Sequence, residues 1–257
     1  MAKYKIGITE AGDAGIDLSW AGKLSSVDGA ILVTKNINSD FITKVLEHRS
    51  KLIVHVTCTG YGGTALEPHV PTPRLQRCAA TDMVLRGFPR EKVVIRVDPI
   101  IPTEKGLERA LDTIEAFMKE GFSRFRISVI DMYPHVRDRF KNAGLPLPYG
   151  ETGFSPDKEQ LAAVDGMLLE AREYWTNLGK DPKKLSFESC AEPGLHQAVA
   201  VGCISSVDLQ LLGLDTDDID SVGPQRPKCM CYSGKTELLT HKQQCPHGCL
   251  YCYWKSK

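Results

Sequence analysis

The sequence predicts an α/β fold: a partial (β/α) barrel of about six parallel strands, with a cysteine-rich C-terminal segment closing the barrel mouth. Two observations carry this. Short β-branched runs recur with helical periodicity between them, the arrangement that gives parallel strands joined by crossover helices. Several runs, KLIVHV and KVVIRV among them, are apolar almost throughout, as expected where helices cover one face of a sheet and a packed interior covers the other. With 257 residues and 42% apolar content, the chain can bury one sizeable core. Residues 1–214 are therefore assigned to the barrel and residues 215–257 to a tail within the same domain.

Taken in order, the strands are expected at residues 5–10, 29–35, 52–59, 92–98, 124–130 and 185–190. The helices between them have recognisable starts. Asn38-Ser39-Asp40 precedes FITKVLEH, Thr103-Glu104 precedes the periodic GLERALDTIEAFMKE, and Ser155-Pro156-Asp157 opens a long helix that ends before Gly179. Gly121 suits the stop of the second. Between Pro134 and Pro156 stand Gly144, Pro146, Pro148, Gly150 and Gly153, which predict a long loop. From about Asp215 the chain turns polar and turn-rich, and the segment reads as a site rather than as a core element.

Charge narrows the function. Thirty-two basic residues balance thirty-two acidic ones, so no global field would hold the protein on a polyanion or an anionic membrane. The N-terminal segment lacks the apolar run of a secretory signal, and no stretch reaches the roughly 18 apolar residues that span a bilayer, so a cytoplasmic location is expected. Nine cysteines, an odd number, make a poor disulfide framework in a reducing compartment. Metal ligation is the better reading.

The cysteines concentrate in the tail. Cys245, Cys249 and Cys252 are spaced four and three apart in a loop softened by Pro246 and Gly248. Thiolates so spaced can hold three corners of a cubane and leave the fourth iron open for a ligand. The competing reading is a zinc ribbon, with Cys229 and Cys231 supplying further thiolates. Polar residues also fall where a barrel mouth would lie. Arg96 and Asp98 share a face by the period of two and suit either a structural pair or contacts to a cofactor carboxylate or ribose. Ser128, Asp131, Lys35 and Asn36 close other strands, and Glu188 and Glu192 flank Cys190.

C-x3-C-x2-C with an aromatic residue before the last cysteine resembles the signature of the radical S-adenosylmethionine superfamily. The signature usually follows the first strand; here it lies beyond the last. The whole chain is similar to one uncharacterised family of radical enzymes with a C-terminal motif. The similarity rests on VTKN at 33–36, TGYG followed by LEP, VDPI at 97–100, ISVIDMY, SCAEPG, GCI, QRPKCMC and CPHGCLYCY.

The resemblance implies a 4Fe-4S cluster on Cys245, Cys249 and Cys252 whose unique iron chelates S-adenosyl-L-methionine. Reductive cleavage of the cofactor then gives a 5′-deoxyadenosyl radical that abstracts hydrogen from a substrate. It places Tyr251 near the adenine and the glycine-rich segment Gly60, Tyr61, Gly62, Gly63 near the methionine amino group. Cys190, Cys203, Cys229 and Cys231 fall in family elements and can supply an auxiliary cluster, or else pack as small hydrophobes or bind zinc. Cys58 and Cys78 are read as structural.

A fainter resemblance to spore photoproduct lyase implies a modified pyrimidine nucleotide or DNA base as substrate, with isomerisation or rearrangement as the outcome. An electron donor such as flavodoxin or ferredoxin is implied as partner. Lys3, Lys5, Lys35, Arg137, Arg139 and Lys141 are available for phosphate contacts, or for solvated faces. Two other functions stay open: a zinc-stabilised binding protein, and an iron–sulfur electron carrier without radical chemistry.

Overall fold

The computed structural model describes residues 2–190, 192, 194–217, 219, 223, 230–239 and 245–254. Its centre is a curled half-barrel sheet of eight strands, ordered β7-β6-β5-β4-β3-β2-β1-β8, with every pair parallel. The strands are β1 (Ile6–Ile8), β2 (Gly29–Thr34), β3 (Leu52–Thr57), β4 (Val93–Ile100), β5 (Arg124–Val129), β6 (Ser186–Cys190), β7 (Val199–Val201) and β8 (Lys235–Glu237). The six expected strands are β1 to β6. The short edge strands β7 and β8 lack the β-branched length that reveals the others, and their placement comes from pairing with β6 and β1.

Helices α1 (Ser39–Glu47), α2 (Pro73–Leu85), α3 (Glu104–Lys119) and α5 (Lys158–Asn177) supply the convex layer; α4 (Pro134–Asn142) and α6 (Ser206–Leu211) lie elsewhere. The caps read from sequence are the caps observed. Asn38, Thr103 and Asp157 each accept a backbone N–H from the first turn, and Asp157 completes a capping box with Gln160. Gly121 follows α3 at φ +87°, a conformation open to glycine at little cost. The expected loop between Pro134 and Pro156 instead begins with α4. Pro134 fits the first helical turn, and Val136 and Phe140, four apart, give it one buried face.

Alternation along the strands separates two interiors. Leu32, Val54, Val56, Val93, Ile95, Val97, Phe125, Ile127 and Phe187 point outward and pack with Phe41, Met83, Ile114, Phe117 and Trp175 of the helices. Cys58 is buried in this layer, as its structural reading required, whereas Cys78 on α2 is exposed. Ile6, Ile8, Ile31, Ile53 and Val94 point inward and form a second cluster with Ile204, Leu209, Tyr232 and the thiols Cys190, Cys203 and Cys231. The tail is therefore more than a site: Tyr232, Leu238 and Leu239 are core residues.

The concave face also buries charge. Arg96 lies beside Arg126 in the sheet register, and Arg126 beside Glu188. Arg126 pairs with Glu188 and donates to Asp208 at 3.3 Å, while Arg124 donates to Asp208 at 2.7 Å. Glu188 is thus committed to the frame rather than to a ligand. His55 sits in this layer with neither ring nitrogen hydrogen-bonded; burial and the nearby Arg126 hold it well below the ordinary histidine range, so it is neutral. Among the described residues, no helix is long and apolar enough to cross a membrane.

Asp208 belongs to α6, which packs against the segment before β4, so this carboxylate ties the base of the barrel together. Burial opposes its charged form, but Arg126 and Arg124 overcome that and hold it below the usual carboxylate range. Its stabilising effect is therefore present above the unfolded value of about 3.9 and fades as pH falls below that. Asp208→Asn removes a charge that balances two buried guanidiniums and leaves both to Glu188, which should cost about 3–5 kcal/mol at neutral pH. In urea titrations, the gap between variant and wild type should shrink below about pH 4.

Candidate functional site

The C-terminal thiol loop is docked onto the carboxyl ends of the first three strands. Leu250 N–H donates to the Leu66 carbonyl at 3.0 Å and His69 N–H to the His247 carbonyl at 3.3 Å. The buried His247 ring places Nδ1 3.2 Å from the His69 carbonyl and Nε2 2.6 Å from the Asp13 carboxylate. Asp13, in the turn after β1, also accepts from Gly15 N–H at 2.8 Å, Thr34 Oγ1 at 2.5 Å and Lys35 N–H at 2.7 Å. One carboxylate therefore joins the β1 turn, the end of β2 and the thiol loop. Only glycine fits at position 15, where a Cβ would lie 1.7 Å from the Asn36 carbonyl.

From the other side, α4 grips the same segment. Arg139 donates to the Cys252 carbonyl at 2.7 Å and to the Trp254 carbonyl at 2.9 Å, and His135 Nε2 lies 2.9 Å from the Tyr253 carbonyl. Arg137 donates to the Gly153 carbonyl at 2.8 Å. Of the cations available for phosphate, these two arginines are engaged with backbone, Lys141 pairs with Glu151, and Lys3 pairs with Asp215.

Above the strand ends a polar triad forms. Lys35 Nζ lies 2.7 Å from Glu67 Oε1 and 2.9 Å from the Tyr251 hydroxyl, which itself donates to Glu67. Burial pulls the Lys35 ammonium down, but Glu67 and the neighbouring Cys249 raise it above the ordinary value and keep it charged. Glu67 is fully buried, and its second oxygen has no hydrogen-bond partner.

Cys245 is exposed, and Cys249 and Cys252 are half-buried. Cys249 is in electrostatic contact with both other thiols and with Lys35. Burial pushes the Cys249 thiol up to about 12, against the pull of Lys35, and raises Cys245 as well. Among the described residues, no three His, Cys, Asp or Glu side chains are arranged to hold one metal ion. A mononuclear site needs donors converging on a point, whereas a cubane takes each thiolate on a separate iron. Three soft thiols sharing one loop fit the cluster in donor chemistry.

Beside the thiols, further polar groups line the concave side. Lys235 reaches Glu10 at 2.5 Å, Arg96 pairs with Asp98, and Ser128 hydrogen-bonds Asp98. Burial, then Glu10 and Cys252, push the Tyr253 hydroxyl above its usual range, which places this tyrosine between the thiol loop and the interior charges.

The structure thus brings Tyr251 to the thiols through Lys35 and Glu67, and sets Arg96, Asp98 and Ser128 in one cluster. The glycines have steric roles inside the chain. Gly60, at φ +85°, gives its carbonyl to Arg109 at 2.9 Å and makes room for that side chain. A Cβ on Gly62 would lie 2.0 Å from the Pro71 carbonyl, and Gly63 N–H donates to the Glu67 carbonyl at 3.0 Å. Tyr61 packs near Leu250 and Tyr251 under Arg109. Cys190, Cys203 and Cys231 come together, and Cys229 lies outside the described residues.

Sequence reasoning named Glu67 beside the glycine run but set it aside, and it overlooked Asp13 and the part played by His247. Only their position gave a signal: Asp13 follows a strand, His247 lies inside the thiol motif, and Glu67 comes shortly after the glycine run.

Residues 19–254 match a family described as a domain of unknown function, DUF1848. The chain belongs to the DUF1848 family. No curated protein matches this DUF1848 chain. Among solved structures, a probable tagatose 6 phosphate kinase from Sinorhizobium meliloti 1021 is 14% identical at a TM-score of 0.39. That alignment covers 82% of this chain and 45% of the other, so the present chain spans under half of that protein.

The Asp13 clamp is directly testable. Asp13→Ala leaves two amides, a hydroxyl and the His247 ring without their acceptor. At about 1–3 kcal/mol for each stranded buried group, added less than linearly, the loss should be at least about 3 kcal/mol in urea unfolding. Hydrogen exchange should show residues 247–252 losing protection before the sheet does.

Proposed function

We propose that this DUF1848 protein is a radical S-adenosylmethionine enzyme whose cluster is held by Cys245, Cys249 and Cys252. The observation that carries the reading is the docking of the three-thiol loop at the carboxyl ends of the strands, with its Tyr251 hydroxyl on Lys35. In parallel β/α folds, that end is where ligands bind.

When bound, the cluster supplies the electron that cleaves S-adenosylmethionine and so generates the hydrogen-abstracting radical. The chain's own part is positional. Asp13 and His247 fix the thiol loop against the strand ends, and Arg139 fixes its far side. Lys35 is a cation in the neighbourhood of Cys249, suited to an anionic ligand group; Glu67 and Tyr251 orient its ammonium. Arg96, Asp98 and Ser128 offer a guanidinium, a carboxylate and a hydroxyl to the same space. Helices and sheet exclude bulk water from the interior, which protects a reactive intermediate.

The substrate proposed first is a modified pyrimidine nucleotide or base, to be isomerised or rearranged. The even charge balance and the commitment of Arg137, Arg139 and Lys141 to partners within the chain favour a nucleotide-sized molecule over duplex DNA.

Anaerobic reconstitution with iron and sulfide, followed by dithionite and S-adenosylmethionine, should release 5′-deoxyadenosine. Cys249→Ser should lower that release by at least about 100-fold, to the level without enzyme. Purified protein containing zinc alone, or a loaded cluster whose spectrum is unmoved by S-adenosylmethionine, would refute the assignment.

A further inference from the structure

Three cysteines outside the proposed radical site meet where the two edges of the sheet approach each other. Cys190 ends β6, Cys203 follows β7, and Cys231 precedes β8; β7 and β8 are opposite edges of the eight-stranded order. Yet Cys231 Sγ lies 3.4 Å from Cys203 Sγ, and Cys203 is hydrogen-bonded to Cys190 as well. Gly202 makes this closure fit, since a Cβ there would lie 2.3 Å from the Met230 carbonyl. All three thiols are buried.

The surroundings are not those of inert packing alone. Glu10 hydrogen-bonds Cys203, and Lys235 Nζ lies 3.8 Å from Cys231 Sγ while bound to Glu10. Arg96 is close enough to feel Cys203. Small apolar cysteines packed for volume gain nothing from buried cations beside them, whereas thiolates do. Cys231 Sγ–H donates to Cys203 Sγ at 3.4 Å, so the contact is one between protonated thiols. A metal centre replaces those protons.

We infer that Cys190, Cys203 and Cys231 form a second iron–sulfur site, at the seam of the half-barrel, distinct from the Cys245, Cys249, Cys252 loop. An iron–sulfur cluster is the occupant proposed on donor type, since all three groups are soft thiols. Glu10 and Arg96 are charged groups of the concave side beside the seam thiols. The seam centre is placed for electron exchange with the concave space, and its existence does not depend on the radical reading.

Iron and sulfide analysis of the anaerobically reconstituted full chain, together with its absorbance and paramagnetic resonance spectra, separates the two sites. Wild type should hold about eight irons if both centres are four-iron clusters. Replacing Cys245, Cys249 and Cys252 together by alanine should leave about half. Further replacement of Cys190, Cys203 and Cys231 by alanine, a change that small buried thiols tolerate sterically, should remove the rest.

Iron at background in the terminal triple variant, or residual iron that survives loss of the seam thiols, overturns the inference. Should the terminal variant fail to fold by circular dichroism, the seam substitutions in the wild-type background give the same reading: a fall by half supports the second site, and an unchanged iron count overturns it. Conversely, a terminal variant that retains all its iron refutes the radical assignment and leaves the seam site standing.

Discussion

The arrangement depends on one buried contact, between the His247 ring and the Asp13 carboxylate. A loop of three thiols with Pro246 and Gly248 in it has little structure of its own. Asp13 gives it a fixed seat by binding, with the same two oxygens, the turn after β1 and the end of β2. A carboxylate accepting several hydrogen bonds in a buried position is geometrically demanding, because each partner restricts the others. The position of the thiols is thereby tied to the register of the sheet rather than to the loop.

A second theme is charge held in balance. Lys35 with Glu67, Lys235 with Glu10, Arg96 with Asp98, and Arg124 and Arg126 with Glu188 and Asp208 populate the concave face. Such pairs contribute little net stability against an apolar alternative. What they provide is a set of fixed dipoles beside two apolar clusters, one from Leu66 to Phe140 and the other around Ile6 and Ile31. A site of this kind favours ligands that carry both signs of charge over simple anions.

Most of the fold was readable in advance, and the reasons are local. β1 to β6 carry β-branched runs, and Asn38, Thr103 and Asp157 cap their helices by side-chain chemistry that sequence displays directly. The failures are non-local. β7 and β8 are three residues each and exist because β6 and β1 offer free edges. α4 was hidden by the prolines and glycines that surround it.

The site divides in the same way. The spacing of Cys245, Cys249 and Cys252 announces itself, and the period of two pairs Arg96 with Asp98. Nothing in spacing tells that Asp13 meets His247, 234 positions away, or that Glu67 meets Tyr251. The glycine segment was read toward a ligand, and the structure gives Gly60 and Gly62 contacts with Arg109 and Pro71.

The place of the thiol loop after the last strand has a bearing on biosynthesis. A ribosome extrudes Asp13, Lys35 and Glu67 long before Cys245 appears, so the receptor surface can be assembled while the reactive sulfurs are still in the exit tunnel. On the proposed function, the cluster would be inserted into a body that has already taken shape.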